Sequence, residues 1–221
     1  MTVFEGDIAQ VKCVAVADVA HAIADQLNFA TGILPGDGDS PNALWWANTP
    51  EGPLTALYEP PRVRRIALAQ EVPAPRRFNI PLPGFIFLCR PSKPPAVYAV
   101  KERPAGPGTE IFHAPLCNVH PAGNSCGGSH HYPADVGRIP ADFFLCYFAD
   151  DAVTRHDVSK KFQGDIVKLW ESLEGKKRYP LDDLVRFGTV KDLTGSVASE
   201  NVPDDDDDFD DEDEEEFPDD E

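Results

Sequence analysis

The sequence predicts an α+β fold in which helices precede and follow an antiparallel sheet. Two segments, at about residues 15–31 and 157–173, repeat apolar residues at helical spacing. Between them lie short segments rich in β-branched and aromatic residues, separated by stretches rich in Pro, Gly, Asn and Asp. Because 221 residues suit one hydrophobic core, we expect a single domain over residues 1–195.

Both predicted helices are amphipathic and end at recognisable stop signals. The first covers about residues 15–31, and Gly32 and Pro35 end its pattern. The second runs from about Asp157 to Leu173, with Gly175 as its stop. The apolar face of the second helix consists of Val158, Phe162, Ile166, Leu169, Trp170 and Leu173.

The central segments predict an antiparallel meander of five or six strands. Leu44–Asn48 and Leu54–Glu59 are the arms of a hairpin, since the sequence TPEG between them has turn chemistry. Further strands are predicted at Val63–Ala69, Phe85–Cys89, Ala96–Val100 and Glu110–His113. We predict that the proline-rich segment 73–84 is a joint, a connecting segment without secondary structure, between two strands. A short helix or turn is predicted to begin at Pro140, and residues 179–190 are predicted to form an ordered closing segment.

The net charge of −18 belongs to a C-terminal tail. Residues 204–221 contain 15 acidic and no basic residues, whereas the preceding 203 residues carry 23 acidic and 20 basic ones. Like-charge repulsion predicts a disordered tail over residues 196–221. Such a tail repels nucleic acid, so we expect no nucleic-acid partner. It serves either solubility or the steering of a basic partner surface.

The cysteines and the N-terminus predict a reduced, cytoplasmic protein. The five cysteines are odd in number and scattered, unlike a disulfide framework. The first residues lack the basic start and continuous apolar run of a secretory signal. We therefore expect no disulfides. Since the sequence has no run of about 18 apolar residues, we also expect no membrane span.

The stretch CNVHPAGNSCGGSHH, residues 117–131, gathers two cysteines and three histidines in fifteen residues. One interpretation is a structural zinc site made by Cys117, His120, Cys126 and His130, which are the right ligand types. Their spacing matches none of the common zinc-finger patterns closely, and the chain has enough apolar residues to form a core without metal. We therefore expect no metal and no cofactor.

The other interpretation is a nucleophilic cysteine on a loop. A cysteine that carries an acyl group needs an exposed position and small neighbours. Cys126 follows Ser125 and precedes Gly127 and Gly128, so it fits this requirement best. Cys89 and Cys146 lie in apolar segments and are predicted to be core thiols, which leaves Cys117 as the main competitor.

The same loop resembles the active-site signature of ubiquitin-conjugating enzymes. Asn118, Gly123 and Cys126 stand at offsets 0, +5 and +8, as in the His-Pro-Asn signature of those enzymes and its thioester cysteine. The family's His-Pro is absent, since Leu116 and Cys117 precede Asn118, and Gly127 replaces the leucine that usually follows the cysteine.

Several separated motifs make the chain similar to prokaryotic ubiquitin-conjugating-like family D. The resemblance covers about residues 43–190. The motifs are EPP with basic residues (59–65), LPGFIFLCRP (82–91), FHAPLCNV (112–119), GNSCGG (123–128), LW (169–170) and YPLDDL (179–184). The resemblance implies the ubiquitin-conjugating (UBC-like) fold: an N-terminal helix, an antiparallel meander, an active-site loop and C-terminal helices.

The resemblance also implies a function. Cys126 would carry a ubiquitin-like protein as a thioester, received from a ThiF-type activating enzyme, and pass it to an amine or another acceptor. Asn118 would hold the loop and donate a hydrogen bond to the oxyanion. Candidate accessory acid–base residues are His120, His130, His131 and Asp135. Many such systems also contain a JAB-type peptidase.

The alternative is a non-catalytic interaction module of the same fold. In that hypothesis the loop holds zinc or nothing, and the acidic tail recruits a partner.

Overall fold

The computed structural model describes residues 2–5, 8–11, 31–34, 42–69, 75–149 and 158–193. The helix predicted over residues 15–31 falls almost wholly outside these ranges, and so does the acidic tail. Thr31, the last residue of that predicted helix, is not helical. Its N–H donates to the carbonyl oxygen of Trp46 at 2.8 Å, so residues 31–34 run beside a strand.

The described strands lie in three sheets. Their bounds are β1 Thr2–Glu5, β2 Ile8–Val11, β3 Ala43–Thr49, β4 Gly52–Glu59, β5 Arg62–Ala69, β6 Arg76–Leu82, β7 Gly84–Cys89, β8 Ala96–Val100, β9 Glu110–His113, β10 Tyr147–Ala149 and β11 Arg186–Thr189. The main sheet is antiparallel, with the order β11-β9-β8-β7-β4-β3. The smaller sheets are β10-β5-β6 and β1-β2. The described residues form mostly antiparallel sheet with few helices, which is compatible with the predicted α+β class.

Each predicted strand is confirmed to within two residues, but Val63–Ala69, which the sequence places in the meander, forms β5 of the smaller sheet, and β4 pairs directly with β7. The hairpin β3–β4 turns at Thr49–Gly52, where Gly52 has a φ of +104° that glycine adopts at little cost. The continuous apolar run in β7 has a clear reason. Phe85 and Phe87 join the larger core, whereas Ile86 joins a second cluster, so both faces of the main sheet are covered.

The proline-rich joint was a wrong prediction, because Arg76–Leu82 forms strand β6. It pairs antiparallel with β5, and Pro81 stands opposite Val63. Strand β6 lies at the edge of its sheet, where a residue without an N–H leaves no ladder bond unmade. Strand β10 was not predicted, and it pairs parallel with β5 on the other side.

The helix predicted over residues 157–173 is shorter in the structure, with bounds Ile166–Leu173. Two short helical elements precede it in the chain: a 3₁₀ turn at Val136–Arg138 and helix α1 at Ile139–Phe143. We number the later helix α2; a further 3₁₀ turn lies at Leu181–Asp183.

Helix α2 begins late because residues 158–164 have other partners. Ser159 Oγ donates to Asp183 Oδ2 at 2.6 Å and accepts from the N–H of Phe162 at 2.9 Å. Gly164 has a left-handed φ of +70°, and Asp165 Oδ1 then accepts from the N–H of Lys168 at 2.9 Å as the helix N-cap. The predicted stop is confirmed, since Gly175 has a φ of +74° directly after the helix.

The larger core lies between the main sheet, the β5–β6 pair and the two helices. Trp170 of α2 packs edge-on against Phe78 of β6, with ring centroids 5.5 Å apart. Its indole N–H donates to the carbonyl oxygen of Pro115 at 3.0 Å. Helix α2 therefore holds the start of the long segment between β9 and α1, which carries the Cys/His cluster.

Candidate active site

Asn118 and Cys126 lie opposite each other in a small hairpin. The N–H of Cys126 donates to the carbonyl oxygen of Asn118 at 2.8 Å, and Val119 pairs with Ser125. The N–H of His120 donates to the carbonyl oxygen of Asn124 at 2.9 Å. This pairing explains the offset of eight residues, since it places the amide and the thiol on adjacent strands of one loop.

The tip of this hairpin requires Gly123. The N–H of Gly123 donates to the carbonyl oxygen of His120 at 2.8 Å, and Pro121 occupies the second position of the turn, where its fixed φ is favourable. Gly123 has a φ of +91°, and a Cβ there would collide with the ring of Tyr98. Glycine is thus needed for both its conformation and its lack of a side chain.

The hairpin is anchored to the beginning of β8. Val97 donates its N–H to the carbonyl oxygen of Gly123 at 2.8 Å. Ser125 donates both its N–H (3.1 Å) and its hydroxyl (2.5 Å) to the carbonyl oxygen of Pro95. Burial raises the pKa of Tyr98 to about 12, so its hydroxyl stays protonated and donates to the carbonyl oxygen of Ala122 at 2.6 Å. The loop is therefore attached to the sheet on both sides of Asn124.

Cys126 is the exposed thiol among the cysteines that the structure describes. Cys89 and Cys117 are buried, and Cys146 is half-buried. Burial raises the pKa of Cys89 to about 12 and also raises that of Cys146. Since the thiolate is the nucleophile, these two thiols are poorly suited to attack. Cys13 lies outside the described residues.

Cys117, the competitor of Cys126, is part of the larger core. It follows Leu116, which is also fully buried, and Trp170 binds the carbonyl oxygen of Pro115 just before them. The positions that hold His-Pro in the enzymes this loop resembles are thus apolar core positions here. The thiol of Cys117 is therefore closed to solvent in the folded chain.

Gly127 and Gly128 shape the loop after Cys126. A Cβ on Gly127 would lie 2.8 Å from Cγ of Pro94, which explains why no leucine follows the cysteine in this chain. Gly128 has a φ of +51° and lies in open space. The N–H of His130 donates to the carbonyl oxygen of Gly127 at 2.9 Å and closes a turn directly after Cys126.

The candidate accessory residues differ in their surroundings. His120 and His131 are exposed. Asp135 is exposed and caps the 3₁₀ turn, since its Oδ1 accepts from the N–H of Gly137 at 3.0 Å. Within the described part of the chain, His130 is the candidate that pairs with a carboxylate, with its Nε2 3.3 Å from Oδ2 of Asp142.

Two further residues that the sequence did not single out, Asp142 and Tyr132, join this neighbourhood. Asp142 lies in helix α1, twelve residues after His130. The ring of Tyr132 packs edge-on against His130, with centroids 4.7 Å apart, and its hydroxyl lies 3.9 Å from Sγ of Cys146. Burial raises the pKa of Tyr132 above its usual range. No spacing pattern marks these residues, because they meet only when α1 folds back beside the loop.

The structure does not assemble the residues of the zinc alternative. Cys117 lies in the core, whereas Cys126 and His120 are exposed. Throughout the described ranges, no three Cys, His, Asp or Glu side chains are placed so that they could hold a metal ion.

Within the same ranges, every helix is too short or too polar to cross a membrane.

One comparison with known proteins identifies the family. The model of prokaryotic E2 family D matches residues 31–187, which include the main sheet up to the first half of β11, the hairpin of Cys126 and helix α2. No curated protein and no solved structure matches the chain. Because the family model covers more than two thirds of the sequence, the chain belongs to prokaryotic E2 family D.

Proposed function

We propose that this chain is a ubiquitin-conjugating-enzyme-like carrier of a bacterial modification system. An activating enzyme transfers a ubiquitin-like protein to Cys126, where its C-terminal carboxyl group forms a thioester. An amine or another acceptor then attacks this thioester. The observation that carries the proposal is one exposed thiol at the end of a hairpin that is hydrogen-bonded to the main sheet.

Asn118 supports the reaction from the opposite strand of the hairpin. Its carbonyl oxygen accepts from the N–H of Cys126, which fixes the backbone beside the thiol. Its half-buried side-chain amide would donate a hydrogen bond to the oxyanion that forms when an acceptor attacks the thioester. Loss of one such donor costs about 100-fold in rate.

The proposed fold is the UBC-like fold, with its domain over residues 1–195 and its core over about residues 43–190. An antiparallel sheet, a loop with the cysteine and later helices follow one another as that fold requires. The partners proposed are a ubiquitin-like modifier and a ThiF-type activating enzyme, with a JAB-type peptidase in the same system. The chain itself needs no cofactor, since the activating enzyme supplies the energy of the thioester.

Charging tests the proposal. The full chain is incubated with ATP, a ThiF-type activating enzyme and a ubiquitin-like protein of such a system, and the products are separated with and without reductant. We expect an adduct that reductant removes in the wild type and in Cys117→Ser. The Cys126→Ser variant should lack it or form a reductant-stable ester. If Cys126→Ser still forms the reductant-sensitive adduct, the assignment of Cys126 is wrong. If the activating enzyme charges itself but transfers nothing, the chain is a non-catalytic interaction module.

A further inference from the structure

His130 and Asp142 form a pair whose geometry fixes the proton on the imidazole. Nε2 of His130 lies 3.3 Å from Oδ2 of Asp142, and both side chains are about one third exposed, at 30% and 27%. A carboxylate accepts hydrogen bonds and does not donate them, so in the neutral ring Nε2 carries the proton. Nδ1 then has a free lone pair. An imidazole held by a carboxylate at one nitrogen and unprotonated at the other is arranged as a base.

Three contacts hold His130 beside the loop of Cys126. Its N–H donates to the carbonyl oxygen of Gly127, so the turn that contains it starts at the residue after the thiol. The ends of such a turn have Cα atoms less than about 7 Å apart. Its ring packs against Tyr132, which itself approaches Gly127: a Cβ on that glycine would lie 3.6 Å from Cε2 of Tyr132. Asp142 is the third contact, and it comes from helix α1.

We propose that His130, oriented by Asp142, is the base that accepts a proton from the attacking amine when the Cys126 thioester is discharged. This inference rests on the proposed function and adds the residue that prepares the acceptor. His120 and His131 are exposed and have no carboxylate partner among the described residues.

The step balances as follows. The neutral amine of a lysine attacks the thioester carbonyl, and a C–N bond forms. The nitrogen becomes positively charged, and one of its protons passes to Nδ1 of His130. The tetrahedral intermediate then expels Cys126 as a thiolate, which takes the electron pair of the broken C–S bond. The imidazolium returns its proton to that thiolate or to solvent, so the products are an amide and a free thiol.

The test loads Cys126 without an activating enzyme. A synthetic peptide, activated at its C-terminal glycine as a mercaptoethanesulfonate thioester, exchanges onto the exposed thiol of the full chain. Intact-mass spectrometry measures loading, with Cys126→Ala as the background. The loaded protein is then mixed with free lysine or with hydroxylamine. Hydroxylamine is a strong nucleophile whose nitrogen is much less basic than that of lysine. After it attacks, that nitrogen gives up its proton readily to water, so discharge to hydroxylamine depends less on a base than discharge to lysine does.

The two nucleophiles separate a base from a structural residue. We expect His130→Asn to slow discharge to lysine by about 100-fold, with a much smaller effect on discharge to hydroxylamine. In Asp142→Asn, loss of the carboxylate leaves the imidazole in place, and discharge to lysine should slow by a smaller factor. Added imidazole should restore part of the lysine reaction to His130→Ala.

The controls make failure informative. Glu174→Gln changes an exposed carboxylate after helix α2 and should match the wild type with both nucleophiles. The role of His130 is overturned if His130→Asn, with an unchanged Tm, slows discharge to lysine and to hydroxylamine equally or slows neither. The proposed function is untouched by that result. The role of His130 is also overturned if His120→Asn or His131→Asn, and not His130→Asn, selectively slows discharge to lysine. If the peptide never loads Cys126, the proposed function fails, and this inference fails with it.

Discussion

The ring of Tyr98 lies directly against the backbone of Gly123, and the hydroxyl of that ring donates to the carbonyl oxygen of Ala122 at 2.6 Å. One tyrosine of strand β8 therefore supports the tip of the hairpin that carries Cys126.

Gly123→Ala tests this relationship. Gly123 and Gly128 both have positive φ, but only Gly123 has a neighbour that a Cβ would meet. Positive φ costs alanine about 1 kcal/mol at either site. The collision with Tyr98 should destabilise Gly123→Ala by about 1–3 kcal/mol more. Urea unfolding measures the stability of Gly123→Ala and of the control Gly128→Ala. Equal losses of stability in the two variants would show that the loop moves away from Tyr98 without cost.

Alkylation should distinguish the cysteines. Cys126 is exposed, whereas Cys89 and Cys117 are buried. Iodoacetamide added to the folded chain should modify Cys126 first, and the two buried thiols should react only after denaturant is added. Peptide mapping by mass spectrometry identifies the modified sites over time. Modification of Cys117 as fast as that of Cys126 would contradict its place in the core.

Glu59 should contribute strongly to stability through one of its two arginines. Its side chain, 10% exposed, pairs with Arg64, also 10% exposed, and with Arg62, which is 54% exposed. Arg64 also lies over the ring of Phe144, 3.8 Å from its centroid. Glu59→Gln leaves the guanidinium of Arg64 buried without a counter-charge and should cost about 3–5 kcal/mol.

Arg62→Ala is the matched control, since it removes the exposed partner of the same carboxylate. It should cost at most about 1 kcal/mol. The double variant Glu59→Gln/Arg64→Met should recover part of the stability lost in Glu59→Gln, because no buried charge remains unpaired. Chemical denaturation gives all three values, and similar losses for Glu59→Gln and Arg62→Ala would contradict the role of burial.

His113 should make the fold less stable in mild acid. Its ring packs edge-on against Phe187 at 5.2 Å, and burial lowers its pKa from the ordinary value near 6.5. The unfolded chain then binds a proton at a higher pH than the folded chain does. Stability is fully present above the ordinary pKa and falls as the pH drops through the folded pKa. The free energy of unfolding should therefore decrease less between pH 7 and pH 5 in His113→Gln than in the wild type.

Removal of the acidic tail should change charging kinetics and leave stability nearly unchanged. Residues 204–221 hold 15 acidic residues, and the hypothesis tested is that their field steers a basic activating enzyme or modifier rather than serving solubility alone. Charging should slow at low salt and become equal to the wild type at high salt, since ions screen such fields. A variant of equal length with Asn and Gln replacing the acids should behave like the deletion. A large drop in Tm would show that the tail packs on the domain.

The sequence predicted those parts of the fold that local patterns encode. The alternating and continuous apolar segments marked the meander strands, and the turn residues Thr49–Gly52 set the first large hairpin. The same holds for the loop of Cys126. Asn118, Gly123 and Cys126 act through hydrogen bonds and φ angles within nine residues, so their spacing alone was informative.

The remaining features depend on contacts between distant segments. Strand β6 forms in a proline-rich stretch because an edge position needs no N–H from Pro81, and the early turns of the predicted second helix are absent because Ser159 binds Asp183 instead. The burial of Cys117 and the meeting of His130 with Asp142 likewise require the packed core. By itself the sequence determined where most strands lie and the register of the cysteine hairpin, since both are local. Only tertiary packing decided which thiol faces solvent and which histidine has a carboxylate, because burial and side-chain proximity exist only once the chain is folded.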